Sequence, residues 1–369
     1  MTVPARILVV NAGSSSLKLR VVDGDDVLVG SVDLGPVDDK GGADDGGLAE
    51  AVADLGRVDA VGHRVVHGGQ QFTGPTRVDA TVVAGIRSLA ELAPLHQPAA
   101  LAALEAVGRL LPDIPGVACF DTAFHAGLTL AAATYALPVA WRERWAIRRY
   151  GFHGLSHAYA SRRAVELLGA RPADLRIVTC HLGAGASLAA VADGRSVDTT
   201  MGFTPLDGLA MATRSGSVDP GLIVWLAERG GLSIAEIGEG LERESGLLGL
   251  AGTADMRAVL AGAAAGDERA ALALGVYLHR LRASIAAMAA SLGGIDALVF
   301  TGGVGERSAQ VRAMTAEGLG FLGVAVDPSR NEASDADREI SPDDASVRLL
   351  VVAAREDLQI AREVRQTLG

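Results

Sequence analysis

Aromatic side chains are scarce here: Phe, Tyr and Trp make up 4% of 369 residues. That argues against a platform of rings on which nucleic-acid bases stack. Positive charge is also in deficit. Lys and Arg number 33 against 44 Asp and Glu, a net charge of −11, with no basic block. A chain of that sign makes a poor binder of nucleic acid or of a membrane surface. There are two cysteines, Cys119 and Cys180, both inside apolar, strand-like strings. They read as reduced core thiols, which makes a cytoplasmic location the expectation. No apolar run approaches the length of a spanning helix. The opening MTVPARILVV enters a strand without a signal-peptide layout. A G-x-S-x-G nucleophile elbow is missing too, so nothing fits a serine hydrolase.

What is present is apolar mass. The hydrophobic fraction is 49%, and the length suits two domains rather than one. The chain is organised around Ile7 to Val22, ILVVNAGSSSLKLRVV. Four apolar residues open a buried strand. Asn11 to Ser16 are small and turn-forming, and Leu17 to Val21 alternate with period two as a half-buried strand does. A tight loop rich in hydroxyls and N–H groups thus joins two strands of a hairpin, with Lys18 close behind. Such a concavity suits a phosphate. It is not a P-loop, because a strand rather than a helix follows it; an ordinary polar turn is the plainer reading. The pattern recurs at Leu175 to Val197, where a strand meets Gly183-Ala184-Gly185-Ala186-Ser187, a second strand, the hairpin pair Asp193-Gly194 and a third strand. A third echo, ALVFTGGVGERS at Ala297 to Ser308, ends its strand in Gly302-Gly303-x-Gly305 before a helix-like segment. Repetition over two halves suggests an internally duplicated α/β fold. It resembles the actin, hexokinase and Hsp70 ATPase group, in which a nucleotide lies in the cleft between halves.

Other stretches add chemistry. Residues 23–56 read as a strand or two joined by an acidic loop around Asp38 to Gly47. Val58 to Gly69 is a buried strand carrying Arg64, and a buried arginine needs an internal carboxylate or an anionic ligand. Thr81 to Leu111 is helical, interrupted at 93–98. Gly116 to His125 is a strand running into Asp121, which at a strand's C-terminal end can hold Mg²⁺ through water or cap a helix. Arg148 to His157, RRYGFHGLSH, has two histidines four apart. Lacking an H-E-x-x-H pattern, it suits a donor wall for an anion better than zinc. Asp198 to Gly221 is irregular yet apolar enough to be ordered, so it reads as functional, with Arg214 among small residues. Leu222 to Ala251 is helical with breaks, Asp255 starts a helix, and Asp267 to Leu292 is a long Ala-rich helix. Phe321 to Asp327 reads as a short strand, Asn331 to Asp344 as a polar loop, and Leu349 to Ala354 as a strand delivering Glu356 at its end.

Taken in order, NAGSSSLK, HRVVHGG, APLHQP, FDTAFH, RRYGFHGLSH, HLGAGAS, DTTMGFTPLDGLAMATRSGSVDP, FTGGVGE and AREDLQIARE are similar to the blocks of the acetate and propionate kinase family, within the actin-like ATPase superfamily. The resemblance implies two duplicated actin-like (ribonuclease H-like) domains with a nucleotide cleft between them. The expected bounds are 1–147 plus 357–369 for the first and 148–356 for the second. It implies transfer of the ATP γ-phosphoryl to acetate with Mg²⁺ (or Mn²⁺), and a homodimer. By the same resemblance, Arg64, Asp121, His153 and Arg214 are catalytic. Arg64 with Val66, Leu95, Phe152 and Pro205 would bind the substrate. Lys18, His181, Leu182, Gly183, Ala184, Gly185, Asp255, Met256, Arg257, Gly302, Gly303, Val304, Gly305 and Arg307 would bind ATP, and Asn11 and Glu356 would serve the metal. Three positions depart from the family pattern: Ala184 and Arg307 each stand for an Asn, and Ser217 for an Asp. A kinase for propionate or another short acid, one using a donor other than ATP, and a nucleotide-gated scaffold on the same fold remain as alternatives.

Overall fold

The computed structural model describes residues 3–13, 16–35, 45–93, 97–334 and 337–369. The chain forms two compact units. Unit 1 comprises Met1–Ala126, Phe152–Tyr159 and Arg355–Gly369; unit 2 comprises Gly127–Gly151 and Ala160–Ala354. The expected break after residue 147 thus falls inside a unit 2 segment. Phe152–Tyr159 groups with unit 1, and the C-terminal return begins two residues before the expected 357.

Unit 1 is built on a six-stranded sheet. Its strands are β1 (Ile7–Ala12), β2 (Leu17–Val22), β3 (Leu28–Leu34), β4 (Ala60–Val65), β5 (Thr76–Arg77) and β6 (Gly116–Phe120), in the order β3-β2-β1-β4-β6-β5. Alternation along β1 sends Leu8 and Val10 to one face, against Leu48 of the helix Asp45–Asp54 and Val107 of the helix Gln97–Leu110. Ile7 and Val9 go to the other face, against Ile360 and Val364 of the C-terminal helix Glu356–Leu368. That last contact is close: a Cβ on Gly62 would come within 2.4 Å of Ile360.

Unit 2 repeats the plan. Its strands are β7 (Arg176–Leu182), β8 (Ala186–Ala192), β9 (Arg195–Thr199), β10 (Ala297–Thr301), β11 (Arg338–Glu339) and β12 (Arg348–Val351), in the order β11-β12-β10-β7-β8-β9. In both sheets an antiparallel three-strand meander is followed by two parallel strands, and a two-residue antiparallel strand guards the far edge. β10, buried at every position, pairs in parallel with β7 and β12, as an unbroken apolar run should. The helix Glu268–Leu292 packs on the neighbouring strands β7, β8 and β9, and its buried Ala270, Ala273, Leu274, Tyr277, Leu278, Leu281 and Ile285 follow helical spacing. The β8–β9 hairpin turns at Asp193 and Gly194, both at positive φ (50° and 68°), as a primed two-residue turn requires.

Several expectations need correction. Residues 23–56 contain, besides β3, the helix Asp45–Asp54; its buried Leu48, Ala51 and Val52 lie at helical spacing. Of the acidic loop expected around 38–47, residues 38–44 lie outside the described residues. Phe321–Asp327 is not a strand: a 3₁₀ turn (Gly320–Leu322) ends at Gly323 with φ 82°, leaving one bridge from Val324 to Val347. The expected loop 331–344 holds β11 and the end of the helix Pro328–Glu332. The glycines after β10 are not a loop before a helix but the first turn of one, Gly302–Arg307. Gly246–Ala264 does have the length and apolarity of a spanning segment. It is broken, however, by Gly252 at φ 75° and by a fresh start at Asp255, which caps the helix Met256–Ala264.

Candidate active site

In unit 1 the adjacent strands β1, β4 and β6 bring three polar side chains to one end of the sheet, and the C-terminal helix adds a fourth. Asn11, one residue before the end of β1, faces Lys18 across the hairpin. Arg64 lies near the end of β4, and Asp121 follows β6. Glu356 opens the C-terminal helix. Arg64 Nη2 donates to Asp121 Oδ2 at 2.6 Å, Arg64 Nε lies 3.7 Å from Glu356 Oε2, and Arg64 Nη1 donates to Asn11 Oδ1 at 3.1 Å. Asn11 Nδ2 reaches Glu356 Oε2 at 3.5 Å. The half-buried arginine therefore meets internal carboxylates, one of the two options its sequence context left open. Burial opposes its charge, but Asp121 and Glu356 outweigh that and raise its pKa. Burial likewise lifts the Asp121 carboxyl above its usual range, with Arg64 pulling the other way and Glu356 adding to the rise.

The wall behind Asp121 is made by Phe152, His153 and Gly154, in the unit 1 part of the RRYGFHGLSH segment. Gly154 N–H donates to Asp121 O at 2.9 Å, and a Cβ at Gly154 would lie 2.1 Å from that oxygen, so only glycine fits. His153, just before it, has φ 56°, a conformation non-glycine residues adopt rarely and often at functional sites. Phe152 is buried beside the His67 ring at 5.5 Å, and its carbonyl meets His125 Nε2 at 3.1 Å. Val66 is buried too. Leu95, the third expected pocket residue of this region, lies outside the described residues. Among the described residues no group of three or more His, Cys, Asp or Glu side chains is placed to hold a metal.

Unit 2 holds a cavity of about 1070 Å³. Gly183, Ala184 and Gly185, the turn between β7 and β8, form one wall. Asp255, Met256 and Arg257 at a helix start form another, and Gly303, Val304 and Arg307 a third; Arg214 also lines it. Of the remaining expected ATP residues, His181 and Leu182 lead into the glycine turn on β7. Gly302 and Gly305 are buried and shape the helix from behind. Gly302 takes φ 78°, and a Cβ there would meet Leu182 O at 2.9 Å. Asp255 caps its helix and pairs with Arg257 at 2.8 Å. Lys18 is exposed on β2 in unit 1, and Pro205 is half-buried in the irregular segment of unit 2. Arg214 makes no ion pair among the described residues. Its one hydrogen-bond-type contact is Nη1 to the Met211 sulphur at 3.9 Å, and burial lowers its pKa despite Glu242.

Arg149, expected in an anion wall, is instead spent on the carbonyls of Thr199, Thr200 and Met201 and on Asp207. Ser217 donates to Asp207 at 2.6 Å, bracing the same segment. Sequence reasoning passed over Glu306, whose Oε1 accepts the Ala354 N–H at 2.9 Å. The signal was a carboxylate directly after the Gly302–Gly305 run.

The acetokinase family model matches residues 48–362. An acetate kinase of Gloeobacter violaceus is 51% identical over 87% of this chain and 80% of its own. One from Streptomyces avermitilis is 45% identical over 99% and 98%. Among solved structures, Porphyromonas gingivalis acetate kinase superposes with a TM-score of 0.90 at 36% identity, over 99% of this chain and 100% of its own. A Francisella tularensis propionate kinase does so with the same score at 35%, over the same shares. With the phosphate-type glycine turn, the large cavity lined by Arg214 and the Arg64 cluster, these matches place the chain in the acetokinase family.

Proposed function

We propose that this chain transfers the γ-phosphoryl group of ATP directly and in line to the carboxylate of acetate, reversibly, giving acetyl phosphate and ADP. The observation that carries the reading is Arg214, a half-buried guanidinium with no ion pair among the described residues, on the wall of a cavity large enough for a nucleotide. Phosphoryl transfer asks for positioning and charge neutralisation more than covalent help. A carboxylate is already a nucleophile, so no strong base is required.

In this reading Arg214 holds the transferring group, with the rigid fork that suits planar oxyanions. Arg64 holds the acid's carboxylate, exchanging part of its pairing with Asp121 for the substrate. His153 donates to the equatorial oxygens, and Val66 and Phe152 shelter the methyl group with Leu95 and Pro205. The Gly183–Gly185 turn and Lys18 serve the phosphates, while Asp255–Arg257 and Gly303–Arg307 serve the adenosine. Mg²⁺ (or Mn²⁺) is the metal we assign. The donors present are hard oxygens, Asn11 Oδ1 and the Asp121 and Glu356 carboxylates, too few for a protein-only cage. That fits an ion that keeps waters and takes phosphate oxygens. Its charge would offset that of the phosphates. A homodimer is supported by the exposed apolar helix Pro220–Glu228, on which Val224 and Trp225 are 54% and 57% exposed. The cytoplasmic location is supported by Cys119 and Cys180, free and buried.

The test is hydroxamate trapping of acyl phosphate from Mg-ATP and acetate, with propionate and butyrate alongside. Rapid product with acetate, lost in Arg214→Ala, is the expected result. No product with any acid, or an undiminished rate in Arg214→Ala, would overturn the assignment.

A further inference from the structure

β4 ends at Val65, and the chain runs on through Val66, His67, Gly68 and Gly69, all within unit 1. Buried backbone N–H and C=O groups need partners, and past the last strand pairing this run finds them one by one. Asp121 N–H donates to Val65 O at 3.0 Å, and Gly68 N–H donates to Thr122 Oγ1 at 2.9 Å. His67, between them, is held by Gln97. His67 N–H donates to Gln97 Oε1 at 3.3 Å. Gln97 Nε2 donates to His67 O at 2.9 Å and, at greater length, to Ile86 O at 3.4 Å. The His67 N–H belongs to the peptide plane shared with Val66, and its carbonyl to the plane shared with Gly68. One carboxamide thus spans both planes, which fixes φ and ψ of His67 together.

Gln97 is itself fully buried, and it opens the helix Gln97–Leu110, whose Ala103, Leu104 and Val107 pack into the core of unit 1. Pro98 comes second in that helix, in the first turn, where its missing N–H costs nothing. The clamp therefore stands on a rigid element. The His67 ring is buried as well. Its Nδ1 accepts the Gly69 N–H at 2.9 Å, and it meets the Phe152 ring edge-on, with centroids 5.5 Å apart and planes at 69°. Two residues that the proposed function gives to the acid's methyl group depend on this peptide. Val66 precedes His67 in the chain, and Phe152 rests on its ring.

We propose that Gln97 is a positioning residue that sets which short acids the pocket accepts: its carboxamide locks the His67 backbone, and through it the Val66 wall and the ring that backs Phe152. This deepens the proposed function and rests on it, since it takes Val66 and Phe152 as the shelter of the methyl group. Apolar walls discriminate by their distance from the ligand, so a wall held at both peptide planes excludes an extra methylene better than one free to give way.

The test compares wild type with Gln97→Met and Gln97→Asn. Acyl phosphate formation is followed with acetate, propionate and butyrate at saturating Mg-ATP, then at stepped ATP, and hydrogen exchange is read over residues 60–69. Gln97→Met keeps the length and bulk of the side chain but makes neither bond. It should raise KM for acetate about tenfold and speed exchange over residues 60–69. A methylene in an apolar pocket is worth about 10–200-fold in discrimination, and a loosened wall should give back about fivefold of it, read as a higher ratio of kcat/KM for propionate over acetate. KM for ATP should stay within about twofold, because the nucleotide cavity lies in unit 2. Gln97→Asn draws the amide back by one methylene and should move the ratio the same way by less, which keeps the proposal open to test should the Met variant not fold. An unchanged ratio in both variants would overturn it. So would an equal loss for every acid and for ATP, which would make Gln97 a stability residue only. Wild type that makes no acyl phosphate from any acid would sink the kinase reading and the acid pocket with it, whereas active wild type with an unmoved ratio in the variants would sink this inference alone.

Discussion

Arg64 in unit 1 and Arg214 in unit 2 were both expected to be catalytic, yet their surroundings differ. Arg64 is embedded between Asp121 and Glu356 and bonded to Asn11. Arg214 has no carboxylate partner among the described residues and faces a cavity. An arginine paired inside the fold is part of what holds the unit together. An arginine left half-buried without a counter-ion adds little to stability, and a chain that keeps one keeps it for a ligand.

Replacement separates the two most sharply. Arg64→Ala strands a buried Asp121 and should cost about 3–5 kcal/mol in urea unfolding, along with activity. Arg214→Ala should leave stability within about 0.5 kcal/mol while removing about 3–4 kcal/mol of transition-state stabilisation, seen as a fall in kcat/KM. Equal losses of stability would erase the contrast. Next comes Gly154→Ala, whose methyl must displace the Asp121 carbonyl. A loss of about 1–3 kcal/mol is expected in thermal unfolding, with slower turnover.

Acid should sharpen the same comparison. Burial lowers His63, His67 and His125, all in unit 1, to about 4. In the unfolded chain these rings titrate near ~6.5. A depressed folded pKa means the unfolded state takes the proton first. The associated stability is therefore whole above the unfolded value and is lost as pH falls towards the folded one. Per ring the change is about 3 kcal/mol across that window. Hydrogen exchange at stepped pH should show unit 1 amides deprotected before those of unit 2; simultaneous loss would refute this. The smallest effect is expected of Ala184→Asn. An added amide on the glycine turn should lower KM for ATP by a few-fold, the worth of about one hydrogen bond, without moving KM for acetate.

The paired sheets were legible because ILVV and ALVF are unbroken apolar runs and IVTCHL a largely apolar one, each followed by small residues, and that pattern marks a buried strand feeding a tight turn. The helix Asp45–Asp54 was hidden, because its acidic, glycine-bearing start reads as loop and only Leu48, Ala51 and Val52 report its buried face. Arg64's need for a partner could be read from its valine neighbours, but which partner could not. Asp121 and Glu356 lie 57 and 292 positions away, and only the sheet order brings the first of them near. Arg149 misled for the same reason: nothing local shows that three consecutive carbonyls, from Thr199 to Met201, claim its charge.

The contact between Gly62 and Ile360 orders events during synthesis. The strands of unit 1 precede unit 2 in the chain, while the helix that covers one face of them, Glu356–Leu368, follows it and is made after every strand of both sheets. Unit 2, complete by Ala354, has every strand of its sheet in hand earlier. The sheet of unit 1 is therefore covered only after that of unit 2 has been made, and until Glu356–Leu368 emerges it shows an apolar face that a chaperone or a neighbouring nascent chain can find.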